Sequence, residues 1–393
     1  MRHGSEHTDF AHLGVVSSFS THHGTCPPDR LAARAADLGQ GILALTDRDG
    51  VYGMVEHVRA CQSAGIRPVL GCDLALASPD GGRVTLLARG RLGWATLCRL
   101  VTRAHAHTRT APAPGHTGSL RVQGAAGSPA LPHAAVAEGS SGVVVLLGPG
   151  SDVGEAVARD RPTHARRLLA RWKDAAEVAI AVADHDLPGQ RRTARALLSL
   201  AAETRTLAVL TNAVRYPVAE DAEVAHVLDQ ARRWAPGGSR PGPATDQAYL
   251  KSGAEMLAVA ERLCGGDAAR ARRLIAHTTA LAASCTLDPD ADLGMDDIHL
   301  PDVPHATDRL LRACEDGLIR VGLGHDPRAL RRLSHEMEII EGKRLSAYFL
   351  TVADAAARIR DKGIRCSIRG SGTGSLVNHL LASPPSTRWT TGC

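Results

Sequence analysis

The order of local patterns predicts an α/β chain: a parallel sheet or barrel of alternating strands and helices, followed by a mostly helical segment. Two observations carry this. From residue 12 to residue 212, seven short apolar runs alternate for the most part with amphipathic stretches of helical period. The runs are apolar on both faces, as strands covered by helices must be. Beyond residue 247 the strand-like runs stop and helical periods remain.

In chain order the strand candidates are "HLGVVSS" (12–18), "GILALTD" (41–47), "RPVLGCDLAL" (67–76), "RVTLLAR" (83–89), "GVVVLLG" (142–148), "EVAIAVAD" (177–184) and "LAVLTN" (207–212). Helical patterns lie at 29–38, 54–64, 92–105, 164–174 and 191–204. Repeated β-then-α order argues for a parallel sheet or barrel, whose functional residues collect at the C-terminal strand ends. The stretch 108–141, rich in Ala, Gly, Pro and Ser, is expected to be a flexible surface insert. A second break at 235–247 closes a first domain of residues 1–245. Further helical patterns follow at 253–264, 267–285, 306–322, 327–341 and 346–362. Residues 246–300 are expected to form a helical connector that ends in an irregular acidic linker. Residues 301–381 then form a second domain, with 382–393 as a tail.

The net charge of +5 is modest, but its distribution is uneven: from Pro301 onward there are 14 Lys+Arg against 10 Asp+Glu. That surplus points to an anionic partner in the last quarter of the chain. Nine scattered Cys form no C-x-x-C pair, the start lacks the apolar core of a signal peptide, and no run approaches membrane-span length. A reduced, cytoplasmic protein is expected, without a membrane partner.

Near the C-terminus, "RGSGTGSLVN" (369–378) places Gly370, Gly372 and Gly374 among Ser371 and Ser375. Glycines allow positive φ and close approach of a ligand to the backbone. The apolar run that follows is helical, so the turn reads either as a structural turn or as an anion cradle opening a helix. Arg365 and Arg369 flank it. Other polar groups have plain readings. His22 and His23 follow the first strand and read as loop histidines. His105 and His107 end a helix, where i, i+2 side chains diverge. His335 and Glu336 lack the second His of a zinc-protease helix. Asp49-Gly50 reads as a turn.

Eight stretches, in this order, carry a resemblance: "FAHLGVVSSFS", "LALTDRDGVYG", "AGIRPVLGCDLAL", "GWATLCRLVTRAH", "LTNAVRYP", "YLKSGAEM", "LSAYFLTVADAAARIRDKGI" and "RGSGTGSLVN". Together they resemble bacterial DNA polymerase III alpha subunits, the C-family polymerases, of the error-prone type. The resemblance implies a PHP (polymerase and histidinol phosphatase) domain over 1–245, folded as a distorted (β/α) barrel, and an incomplete palm over 301–381. Full family members run several hundred residues further.

In metal-binding PHP domains the first strand carries two His at i, i+2, a spacing that puts both on one strand face. Here Gly14 and Val16 stand at those places, and neither has a lone pair to offer. In "TDRD" Asp47 survives, but Arg48 stands where a His is expected. Asp73 replaces a Glu, and Ala213 and Arg215 replace two further donors. The expectation is that no metal binds tightly in this chain. The palm resemblance implies that Arg369, Gly370, Ser371, Gly374 and Ser375 help to hold the triphosphate of an incoming deoxynucleotide. Nucleotidyl transfer also needs carboxylates that hold Mg²⁺, and the family supplies these beyond its glycine turn. After Ser375 this sequence has no acidic residue, and "ASPPSTRWTTGC" matches no family pattern. The expectation is a chain interrupted near Leu381 and catalytically incomplete by itself, with no catalytic residue of its own. DNA and deoxynucleoside triphosphates are the implied partners, with a sliding clamp and other replication or repair proteins. A PHP-type metal-dependent phosphoesterase or 3′–5′ exonuclease, and a non-catalytic DNA- or protein-binding scaffold, remain as alternatives.

Overall fold

The computed structural model describes residues 9–77, 81–106, 129–234, 244–295 and 299–382. The chain divides into two compact units, with the boundary after Met295.

The first unit is built on a curled mixed sheet. Its strands are β1 (Ile42–Leu45), β2 (Arg67–Leu76), β3 (Arg83–Ala88), β4 (Ala130–Leu131), β5 (Val143–Leu147), β6 (Glu177–Val182) and β7 (Leu207–Leu210). Their spatial order is β1-β2-β3-β5-β6-β7, with the short β4 beside β2. The all-parallel expectation fails at β3, which runs antiparallel to both of its neighbours, β2 and β5. The six residues between β2 and β3 are too few for a crossover, which takes a dozen or more, so the chain turns back as a hairpin. The pairs β1–β2, β5–β6 and β6–β7 are parallel, each joined through helices; those of this unit are α1 (Pro28–Asp37), α2 (Met54–Ser63), α3 (Gly90–His105), α4 (His133–Ala137), α5 (Asp152–Ala158), α6 (Pro162–Ala175), α7 (Gln190–Glu203), α8 (Ala222–Arg232), α9 (Gly253–Leu263) and α10 (Ala268–Ser284).

The stretch 12–18 forms no continuous strand. A bend at Leu13 breaks it into single-residue bridges, His12 to Leu43 and Val15 to Val214. It thereby joins the two ends of the sheet: Ala44 N donates to His12 O and Thr46 N to Val15 O on one side. On the other, Val16 N donates to Val214 O and Val214 N to Gly14 O.

Side chains alternate between two cores, as a strand's period of two requires. Val143, Val145 and Leu147 face a large cluster shared with the helices, together with Leu43 and Leu45. Ile42, Ala44, Val144 and Leu146 face the concave side. The end of α10 (Ala268–Ser284) and Cys285 fill that side with Leu281, Ala282 and the Cys285 thiol. The helix packs on both β7 and β1. Residues that the sequence places in a connector thus complete the first unit's core. Its partner α9 (Gly253–Leu263) starts at a capping box, with Ser252 and Glu255 exchanging side-chain and backbone bonds. Of the expected insert, 108–128 lies outside the described residues, while β4 and α4 (His133–Ala137) follow it.

The second unit is helical: α11 (Ala306–Arg320), α12 (Pro327–Gly342), α13 (Ser346–Asp361) and α14 (Leu376–Ala382). Its core brings Leu310, Cys314 and Leu318 of α11 against Leu333, Met337 and Ile340 of α12 and Leu376, Val377 and Leu380 of α14. Helix α13 buries Leu350 and leaves Tyr348, Val352 and Ile359 exposed. The expected tail, from 383 on, lies outside the described residues.

Two tests follow from this packing. A Cβ on Gly93 would lie 2.0 Å from the Gly142 carbonyl oxygen, so Gly93→Ala is expected to destabilise the first unit by about 1–3 kcal/mol in urea unfolding. An unchanged midpoint contradicts that contact. His12 and His57 are fully buried, with Nε2 against the Lys251 and Leu43 carbonyls at 2.9 and 3.2 Å. Burial pushes both from the ordinary 6.5 down to about 4. The unfolded chain therefore takes up these protons first. The stability they contribute is complete above 6.5 and is lost as pH falls toward 4, at most about 3 kcal/mol for each. Urea unfolding across that window should show the decline, and a flat profile contradicts it.

Candidate functional site

Chemistry-bearing residues gather in two places, one in each unit. In the first unit they lie at the C-terminal ends of β1 and β7. Asp47, just past β1, is buried. Its carboxylate accepts from Ser17 N (2.7 Å), Ser17 Oγ (2.8 Å) and Ser20 Oγ (2.6 Å). Burial raises its pKa, and these hydrogen bonds oppose the rise. Ser20 Oγ in turn accepts from Arg48 N at 2.9 Å. The serines that follow the first strand thus fix the backbone where Arg48 begins.

Around this point stand four guanidinium groups. Arg83, at the start of β3, bonds the Asp73 carboxylate and carbonyl and the Asp49 carboxylate. Arg215 makes a two-pronged pair with Asp229 at 2.9 and 2.8 Å and donates through Nε to His23 O. Arg232, on α8 (Ala222–Arg232), pairs with the same Asp229 at 3.0 Å. Arg48 lies 3.7 Å from Asp73. His23 sits between Arg48 and Arg232: Arg48 Nη1 lies against its Nε2 and 3.0 Å from its Nδ1, and Arg232 Nη1 is 2.8 Å from Nδ1. Burial, then the charges of Arg48, Arg232, Arg215 and Arg83, push the imidazole down to about 2, so it stays neutral. Burial and the neighbouring Arg83 also bring Arg48 down to about 10.

The structure brings together Arg48, Asp73 and Arg215 from the expected metal positions, with Asp47 linked to Arg48 through Ser20. Gly14 and Ala213 lie side by side, where a Cβ on Gly14 would lie 3.8 Å from Ala213 Cα. Val16 takes part through its backbone bond to Val214. These residues do not fit a divalent cation. Gly14, Val16 and Ala213 carry no side-chain donor, the Asp47 oxygens are engaged by the serines, and Asp73 is held by Arg83. Among the described residues no group of three or more His, Cys, Asp and Glu is placed to hold a metal ion. His23, read from sequence as a loop histidine, stands at the centre of the cluster. Arg83, Asp229 and Arg232 were not singled out. The only local signal was the i, i+3 spacing of Asp229 and Arg232, which is common on any solvated helix. His105 contacts the Asp49 carbonyl, and His107 lies outside the described residues.

In the second unit, Gly370–Gly374 form a short 3₁₀ turn ahead of α14, and Gly370 has φ +66°. Thr373 Oγ1 donates to Gly370 O and Asn378 Nδ2 to Gly372 O. Arg369, Gly370, Ser371 and Gly374 are exposed. Ser375 is engaged, donating to Glu336 at 2.8 Å and accepting from Asn378 N at 3.2 Å. The Glu336 carboxylate, from α12, also accepts from Leu376 N and Val377 N at 3.0 and 3.1 Å. Arg332 pairs with Glu336 at 2.9 Å and bonds the Gly374 carbonyl at 2.6 Å. Burial opposes ionisation of Glu336, but the Leu376 and Val377 amides, Arg332 and Ser375 outweigh it and hold the carboxyl below its usual range. The first amides of α14 therefore already meet an anion, supplied by the chain. This leaves the turn ahead of them, Arg369 to Gly374, as the outward face. Sequence reading dismissed Glu336 with the zinc-helix pattern, since a cap reaching across about 40 residues leaves no local signature.

Removing this carboxylate should loosen α14. Glu336→Ala is expected to cost about 1–2 kcal/mol in the second unit and to speed amide exchange at Leu376 and Val377. Unchanged exchange there would show that the cap carries no weight.

Residues 12–185 match the PHP domain family and residues 308–383 the bacterial DNA polymerase III alpha NTPase domain. Over 95% of its length the chain is 34% identical to an error-prone DNA polymerase of Symbiobacterium thermophilum. It is 31% identical, again over 95%, to one of Cutibacterium acnes. It covers 34% and 32% of those proteins, so it spans about a third of the curated relatives it matches. A solved amidohydrolase from Chromobacterium violaceum aligns with 51% of this chain and 86% of its own at 18% identity, with a TM-score of 0.36. With both domain matches in order and 31–34% identity to these polymerases over 95% of its length, the chain combines a PHP domain with sequence of the bacterial DNA polymerase III alpha NTPase domain and is similar to error-prone DNA polymerases over about a third of their length.

Proposed function

We propose that this chain supplies the PHP and first palm portions of an error-prone-type DNA polymerase III alpha, acting in replication or error-prone repair, and that its glycine turn helps to bind the triphosphate of a deoxynucleotide. One observation carries the reading: Gly370–Gly374 and Arg369 are presented outward, on a turn whose inner side is anchored by Glu336 and Arg332. A phosphate has exposed backbone and a guanidinium to meet there, while Ser375 supports the turn from beneath. The amides of the turn and the planar guanidinium of Arg369 suit a multiply accepting anion such as a phosphate. Mg²⁺ accompanies the triphosphate, DNA is the polymer partner, and a sliding clamp is a further partner in a cytoplasmic setting. The described helices hold none long and apolar enough to cross a membrane.

The phosphoesterase or exonuclease reading is disfavoured by the strand-end donor set, in which two arginines stand among the positions a metal would need.

Calorimetric titration of a deoxynucleoside triphosphate with Mg²⁺ into the chain should give saturable binding, weakened roughly tenfold in Arg369→Ala. Binding to primed DNA should fall steeply with salt. Triphosphate binding indifferent to Arg369, or none, would sink the proposal for the turn.

A further inference from the structure

At the strand ends of the first unit, guanidinium groups outnumber the carboxylates that pair with them. The guanidinium groups of Arg48, Arg83, Arg215 and Arg232 face three paired carboxylates, Asp49, Asp73 and Asp229. Asp47 lies behind them, with its oxygens turned to Ser17 and Ser20. The bonds are unevenly shared. Arg215 and Arg83 are well supplied, through Asp229 and His23 O for one and Asp73 and Asp49 for the other. Arg48 and Arg232 are less so, although Arg232 pairs with Asp229 at 3.0 Å and reaches the His22 carbonyl at 3.3 Å. Asp73 Oδ1 is taken by Arg83 and stands 3.7 Å from Arg48 Nε, beyond hydrogen-bond reach. Arg232 Nε is buried with no partner.

Both of these guanidinium groups end on one imidazole, that of His23. A neutral imidazole has a single acceptor lone pair, so it cannot satisfy two charged donors at once. Protonation would make matters worse by adding a third cation. The mismatch marks a place where an acceptor-rich anion belongs. The side chains of Arg48 and Arg232 are 26% and 13% exposed, so solvent reaches the edge of the cluster. His23 lies in the short turn between Ser20 and Gly24, next to His22 with φ +61°, and it is the one uncharged side chain in the cluster's centre.

We propose that Arg48 and Arg232, converging on His23, form an anion site that takes a phosphate group, either inorganic phosphate or the monoester of a mononucleotide, with the His23 ring turned aside. The tetrahedral oxygens accept from both guanidinium groups and supply the negative charge that the three carboxylates leave short. The site lies in the first unit and uses none of the glycine-turn residues. The PHP strand ends in this chain thus bind phosphate through fixed cations rather than through metal ions.

The test titrates inorganic phosphate, and separately deoxyadenosine monophosphate, into the full chain labelled at histidine, at constant ionic strength. The His23 ring resonance, assigned with His23→Ala, reports occupancy of this site alone. The expected result is a saturable shift of that resonance with phosphate but not with chloride, weakened roughly tenfold in Arg48→Gln and in Arg232→Gln. His23→Ala removes the resident side chain, so by calorimetry it should bind phosphate several-fold more tightly than wild type, provided the Arg369→Ala change is present in both to silence the glycine turn. A larger effect of the monophosphate assigns the site to a nucleotide end, and an equal effect assigns it to free phosphate. The proposal falls if the His23 resonance does not respond to either anion. It also falls if His23→Ala, which keeps all four arginines, binds phosphate no better than the parent.

Discussion

The Asp47 carboxylate holds the first unit's functional end together. It accepts three hydrogen bonds from Ser17 and Ser20, and so fastens the chain that leaves the first strand to the end of β1. That chain has just joined the two ends of the sheet through His12, Val15 and Val16. Were the carboxylate to let go, the curl would lose its tie and Arg48 its anchored backbone. Burial disfavours the ionised carboxyl, and the three directed bonds offset part of that cost. The loop carrying His23 takes its position from this arrangement.

The second unit solves a similar problem with Glu336. A helix N-terminus presents unsatisfied amides and the positive end of its dipole. In α14 both are met by a carboxylate from α12, itself paired with Arg332. The consequence for ligand chemistry is spatial. The inner donors are occupied, so recognition of a phosphate shifts to the exposed turn and to Arg369. In both units a carboxylate from the chain organises backbone donors, and guanidinium groups stand on the outer side.

Much of the fold was legible. Six of the seven apolar runs became strands and the helical periods became helices, because the burial period of each element is written in consecutive residues. The antiparallel direction of β3 was missed, although the short β2–β3 connection held the clue. Helices α9 and α10 were legible as helices but not as part of the first unit's core, since nothing local says which sheet an amphipathic face will cover. The candidate site was legible in part. The losses at Gly14, Val16, Arg48, Ala213 and Arg215 could be read one by one against a pattern. Their replacement by an arginine network could not, because Arg83, Asp229 and Arg232 enter it from distant elements.

By itself, then, the sequence determined the elements, the family order of the motifs, the loss of donor side chains at Gly14, Val16, Arg48, Ala213 and Arg215, and the glycine turn with its flanking arginine. These depend on residue identity and on spacing along a few turns or pleats. Only the tertiary structure decided that His23 sits between two guanidinium groups, and that Glu336 rather than a ligand meets the first amides of α14. Charge balance and hydrogen-bond supply are properties of a neighbourhood. A neighbourhood assembled from residues 23, 48, 83, 215 and 232 exists only once the chain has closed its sheet.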